Sequence, residues 1–120
     1  MITVLLVESP LAVRRALRAR LSLEADLAII GEADDALLAI SLTRRLDPDV
    51  VVLDAEAPDL DAPAAARALA DAARPRGIVV LSQRAAAVRL ALAGTSAVVV
   101  GKHEGLAALV YAIQATSPHT

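Results

Sequence analysis

The sequence predicts an α/β domain built on one doubly wound, five-stranded parallel sheet, and three observations carry that prediction. Short β-branched runs recur between longer segments of helical period, the signature of successive βαβ units. The runs are apolar at consecutive positions, as in strands covered on both faces. The chain has 120 residues, enough for one compact core and too few for a second.

Taken in order, Ile2 to Val7 reads as the first strand. Ser9-Pro10 then places a capping serine before a proline at the first position of a helix running from Leu11 to Leu23. Leu27 to Gly31 is the second strand and Ala36 to Leu46 the second helix. That helix stops at Asp47-Pro48-Asp49, because proline cannot continue the hydrogen-bond ladder and restricts the residue before it. Val50 to Asp54 is the third strand; Asp61-Ala62-Pro63 offers a capped start to a third helix over Ala64 to Ala73. Ile78 to Ser82, Ala85 to Ala93 and Ala97 to Val100 complete the fourth strand, fourth helix and fifth strand. Leu106 to Ala115 is the last helix, with Leu106, Leu109, Val110 and Ile113 at the i, i+3, i+4, i+7 spacing of one buried stripe. Right-handed crossovers leave few ways to connect five such strands, and the order 2-1-3-4-5, the flavodoxin-like arrangement, is the leading one. Every strand is expected to be central or nearly so. Residues 1–116 are expected to form the domain, with 117–120 a frayed tail or the start of a linker.

Composition removes several function classes. Twelve basic residues against fourteen acidic ones give a net charge of −2, which is not the field of a free-standing nucleic-acid binder. Without cysteine there is no disulfide framework, zinc knuckle or thiol nucleophile, and a cytoplasmic location is expected. The longest apolar run, Leu106 to Ile113, falls far short of the ~18 residues that span a bilayer, so no membrane association is expected. Eleven arginines accompany a single lysine, Lys102, a bias of the kind GC-rich bacterial coding produces. Tyr111 is the only aromatic residue, so leucine, valine and isoleucine must fill the core.

In an open parallel sheet the functional crevice lies at the carboxyl ends of the strands, where the winding direction reverses. For this order the crevice falls between strands one and three. Glu8 leaves the first and Asp54 ends the third, so two carboxylates face one pocket; Ser82 and Lys102 bring a hydroxyl and a cation to the same rim. The turn Glu8-Ser9-Pro10-Leu11 has none of the glycines that let a backbone cradle phosphate. His103 and His119 pair with no nucleophile, and enzymatic turnover of a metabolite is not expected.

Here the sequence resembles the receiver domain of two-component response regulators, of the NarL/FixJ type in particular. The resemblance rests on Leu5-Leu6-Val7-Glu8, Gly31-Glu32-Ala33 and Pro48 to Asp54, with Pro58 four residues and Asp61 seven residues after Asp54, then Ser82 and Lys102. It implies that Asp54 is a phosphoacceptor, that Ser82 and Lys102 are its catalytic partners, and that Glu8, Asp54 and Glu56 hold Mg2+. It further implies a sensor histidine kinase as phosphoryl donor and a transcriptional output, with DNA reached only through a separate output domain. A homodimer is expected through helix 4, strand 5 and helix 5 or through helices 1 and 5. The chain departs from the family in four ways. Ser9 stands where a second metal-binding acid is usual, which predicts weak magnesium affinity. Strand 5 lacks the usual aromatic, and the segment between Ser82 and Gly94 is about three residues short. Gly101 also delays Lys102 by one residue, to be absorbed by a bulge or by a longer strand. The alternative reading is a phosphorylation-independent interaction module.

Overall fold

The computed structural model describes residues 1–8, 10–57, 60–70 and 76–118. It contains one parallel sheet of order β2-β1-β3-β4-β5. The strands are β1 (Ile2–Val7), β2 (Leu27–Ala33), β3 (Val50–Asp54), β4 (Gly77–Ser82) and β5 (Val98–Gly101); the helices are α1 (Leu11–Leu21), α2 (Ala36–Leu46), α3 (Ala62–Ala70), α4 (Ala85–Ala91) and α5 (Leu106–Thr116). A short 3-10 turn, Lys102–Glu104, precedes α5.

Strand residues alternate between two cores because successive side chains point to opposite faces. Leu5, Val7, Val51, Leu53, Ile78 and Val80 join the layer that includes Ala39, Ala65, Ala66 and Leu69 of α2 and α3. Val4, Leu6, Val50, Val52, Val79 and Leu81 join Leu21 of α1 and Leu109, Val110 and Ile113 of α5 on the other side. The inner strands β3 and β4 are buried throughout. At the edges the expectation of near-complete burial fails: β2 leaves Ile30 and β5 leaves Val98 partly in solvent, because each has a neighbour on one side only.

Several boundaries differ from the sequence reading. Strand β2 runs two residues past Gly31, since the register skips Ile30 in a bulge and then resumes at the glycine: Val4 pairs with Ile29 but Leu5 pairs with Gly31. A Cβ at Gly31 would come within 2.8 Å of Leu46 Cδ1. Pro10 is the residue before α1 rather than its first helical residue; its carbonyl accepts from the amides of Val13 and Arg14. The cap assigned to Ser9 lies outside the described residues, as do Pro58, the end of the third helix beyond Ala70, and His119. Helix α3 starts at Ala62, and Asp61 Oδ1 accepts from the Ala64 amide at 3.1 Å. Helices α1 and α4 end at Leu21 and Ala91, earlier than their apolar patterns suggested. Helix α5 continues to Thr116, one residue past the expected Ala115, and Ser117 is buried.

Two acids hold local structure together. Asp49 accepts from the Thr3 amide at 2.9 Å while its own amide donates to Thr3 Oγ1, locking the starts of β1 and β3 in register. Asp35 caps α2, its Oδ1 accepting from Leu38 N at 2.8 Å. Asp35→Ala is expected to lower stability by about 1 kcal/mol in urea unfolding, and Asp35→Asn by much less, because Asn keeps the accepting oxygen.

Candidate functional site

Strands β1 and β3 lie side by side, with Val7 paired to Leu53, so their carboxyl ends bring Glu8 and Asp54 to one point. Both residues are almost fully buried, and a hydrogen bond joins their carboxyl groups. The main chain of Glu8 is fixed from both sides: its amide donates to the Ala33 carbonyl and its carbonyl accepts from Arg14 Nη1 at 3.0 Å. Arg14 Nε also pairs with Glu32 at 3.0 Å, and Arg18 binds the same carboxylate. Burial raises the Glu32 carboxyl, but the two arginines outweigh it and hold it below its ordinary value.

Strand β5 settles how the extra residue before Lys102 is absorbed. The register from Val79–Val98 to Ser82–Gly101 is regular, so no bulge forms there; the strand keeps the expected four residues but runs one position later, from Val98 to Gly101. A Cβ at Gly101 would lie 2.6 Å from His103 Cε1, and the Gly101 amide donates to Glu104 Oε2 at 2.6 Å. The chain then turns, and Lys102 Nζ reaches Asp54 Oδ1 at 2.8 Å and Glu56 Oε1 at 3.2 Å. Burial disfavours the ammonium, yet the two carboxylates outweigh that effect and raise its pKa. Burial likewise pushes Asp54 up, but hydrogen bonds from Glu8, Lys102 and the Glu56 amide hold it below the ordinary carboxylate value.

Ser82 ends β4 with no exposed surface. Its hydroxyl donates to Glu56 Oε2 at 2.8 Å and accepts from the Arg84 amide at 2.8 Å. Glu56 Oε1 accepts from the Gln83 amide at 2.7 Å. Burial raises the Glu56 carboxyl; the Gln83 amide, Ser82 and Lys102 more than offset it. The structure thus unites Glu8, Asp54, Ser82, Lys102 and Glu56, but divides the three expected metal ligands. Glu8 and Asp54 face each other, whereas the Glu56 side chain crosses to the β4 loop. Among the described residues, no three His, Cys, Asp or Glu side chains form a metal-binding group. A two-carboxylate site still fits magnesium, which commonly takes one or two carboxylates and fills its octahedron with water and phosphate.

Glu8, Asp54 and Lys102 form one end of an open cavity of about 400 Å3 whose apolar walls include Val13 and Leu17 of α1 and Leu106 and Leu109 of α5. Sequence reasoning did not find Arg14, which positions Glu8. The available signal was Arg14 and Arg18 four residues apart on a helix whose first turn carries no acid.

The profile of the response regulator receiver domain matches residues 4–114. The chain belongs to that family. It is 38% identical over 96 residues to a protein-glutamate methylesterase/protein-glutamine glutaminase of Myxococcus xanthus, covering 80% of this chain and 28% of that protein. A second such relative, from Xanthomonas oryzae, is 42% identical over 60 residues, half of this chain and 17% of its own length. The chain therefore spans well under a third of these curated relatives, and the activities in their names are those of the whole proteins. The response regulator domain of Thermotoga maritima CheB superposes with a TM-score of 0.83 at 25% identity, covering 97% of this chain and 96% of that one. A LuxR-family response regulator from Aurantimonas superposes with a TM-score of 0.84 at 31% identity, covering 96% and 84%. Among the described residues no helix is long and apolar enough to cross a membrane.

Proposed function

We propose that this receiver accepts a phosphoryl group on Asp54 from the phosphohistidine of a sensor kinase in the cytoplasm and relays it as a changed protein surface. The supporting observation is that Lys102 Nζ sits 2.8 Å from Asp54 Oδ1 despite the inserted Gly101. In the transfer an Asp54 carboxylate oxygen attacks phosphorus, a P–O bond forms as the P–N bond breaks, and the imidazole leaves with the bonding pair. Lys102 supplies positive charge where the transferring oxygens gather it, and the Glu56 amide fixes the attacking carboxylate at 2.9 Å. Magnesium, when bound, would be held by Glu8 and Asp54 and would offset the charge on those same oxygens.

Ser82 lies at the start of the β4–α4 loop, and its hydroxyl is the group that can follow an oxyanion on Asp54. With only valines in the middle of β5, its movement has no aromatic side chain to swing, so the signal passes through the loop and α4. We assign the output to transcription through a separate DNA-binding domain; methylesterase relatives make a chemotaxis output the competing assignment. Acetyl-phosphate labelling at millimolar magnesium tests the acceptor: wild type is expected to label and Asp54→Asn is not. Equal labelling of the two overturns the assignment.

A second reading, a phosphorylation-independent dimerisation module, is favoured by one observation: Leu90, Val98 and Tyr111 leave apolar surface exposed on α4, β5 and α5. It expects a dimer by light scattering that Asp54→Asn leaves unchanged.

A further inference from the structure

Glu56 makes more contacts than a loop residue two positions after the acceptor needs. Its main-chain amide is already spent on Asp54 Oδ1. Its side chain nevertheless crosses to β4 and accepts from three donors on two separate parts of the chain: Ser82 Oγ at 2.8 Å and Gln83 N at 2.7 Å at the end of β4, and Lys102 Nζ at 3.2 Å after β5. A hydroxyl, an amide and an ammonium converging on two oxygens form an oxyanion site, and charge-assisted bonds of this kind are among the stronger ones proteins make. The same ammonium pairs with Asp54 at 2.8 Å, so any oxyanion attached to Asp54 arrives among these donors and meets the Glu56 carboxylate there.

We propose that Glu56 is a tethered surrogate for the phosphoryl group: its carboxylate occupies the Ser82, Gln83 and Lys102 donor set, holds the β4 loop toward β3 in the unmodified protein, and must be displaced before a phosphoryl on Asp54 can use those donors. The displacement half rests on Asp54 being the acceptor; the occupation half does not. The exchange is physically reasonable in both directions. A phosphoryl group brings about two charges and three accepting oxygens against one charge and two oxygens for the carboxylate. The Glu56 side chain is 26% exposed, so it has a path into water when displaced. Held as it is, it draws Ser82 and the Gln83 amide inward without any phosphoryl. Phosphorylation would then replace one anion with another, moving the loop less than it would in a receiver whose donor set is open.

Three substitutions separate occupation of the site from simple charge. Glu56→Ala removes the occupant. Glu56→Asp keeps the charge but is one methylene too short to reach both Ser82 and Gln83. Glu56→Gln keeps an accepting oxygen but loses the charge. If the open form is a minor state, releasing it should speed acetyl-phosphate labelling by roughly tenfold in Glu56→Ala. Glu56→Asp should also be faster than wild type, and Glu56→Gln intermediate. An electrostatic effect alone gives a different order, with Glu56→Asp equal to wild type and Glu56→Gln equal to Glu56→Ala; that order overturns the proposal.

The second readout needs no phosphorylation. In a sulfate titration followed by amide NMR, the Gln83 signal of Glu56→Ala should shift and saturate, while wild type should not respond. The same result is expected on an Asp54→Asn background. Absence of a sulfate response in Glu56→Ala overturns the proposal whatever the labelling shows. If no variant labels, the acceptor assignment fails by itself, and the sulfate titration alone decides the role of Glu56.

Discussion

Lys102→Met is expected to cost about 2–3 kcal/mol of folding stability near neutral pH, below the range for breaking a fully buried pair because the lysine side chain is 29% exposed. The loss comes from what is left behind. Asp54 remains almost fully buried without the ammonium that paired with it at 2.8 Å. The pH dependence identifies the cause. Asp54 and Glu56 are held below their ordinary values of 3.8 and 4.5, so their share of the stability is complete above those values and is lost as pH falls through the lower folded-state ones. Lys102 is raised above 10.5, so its share is complete below that value and is lost as pH rises through the higher folded-state one. The gap between wild type and variant is therefore widest between those limits and narrows on acidification below about pH 4. Urea unfolding at neutral and acidic pH checks this. A gap that is constant with pH would assign the loss to packing of the lysine stem instead.

The sequence made the scaffold legible because apolar period is a local property. The ends of β1, α2 and β3 coincide with their hydrophobic runs, and Asp47 closes α2 in the left-handed conformation, φ 49°, with its amide on the Thr43 carbonyl. Readings failed where a residue had two possible uses. Gly31 could end a strand or continue it past a bulge, and it continues here with the skipped Ile30 just before it and Leu46 packed close over it. Edge exposure of Ile30 and Val98 follows from sheet order, and their own strands read as fully apolar.

At the site, strand ends could be read directly: Glu8, Asp54 and Ser82 are placed by backbone alternation and by the sheet order. Loop side chains could not. Whether Glu56 turns toward Asp54 or toward β4 is decided by the position of the Gln83 amide and of Lys102, which lie 27 and 46 residues away along the chain. The role of Asp49 was hidden for the same reason. It reads as a helix-stopping neighbour of Pro48, yet its main work is the two-way bond with Thr3 across the sheet.

Ile113→Ala should be the most damaging single truncation considered, at about 3–4 kcal/mol. Ile113 is fully buried and sits in the layer with Leu6, Val52, Val79 and Leu109. The cost of such a cavity depends on whether neighbours can move in to fill it. Here they are valines and leucines, those of β1, β3 and β4 held in place by the sheet, with Ala112 beside it on α5 and no phenylalanine or tryptophan anywhere in the chain to rotate inward. Collapse is therefore limited and the cavity penalty stays near the upper half of its range. Ile113→Val removes one methyl and should cost about 1 kcal/mol. Leu90→Ala provides the contrast on α4, a helix with no buried residue: Leu90 is 79% exposed, and its loss should stay within about 0.5 kcal/mol. Urea midpoints for the three variants test the order. A small effect of Ile113→Ala would mean that α5 slides toward the sheet to close the gap. Because Leu106 and Leu109 also wall the cavity at Asp54, that movement would itself appear as a changed rate of acetyl-phosphate labelling, whereas an unrelaxed cavity would leave the rate at its wild-type value under folding conditions.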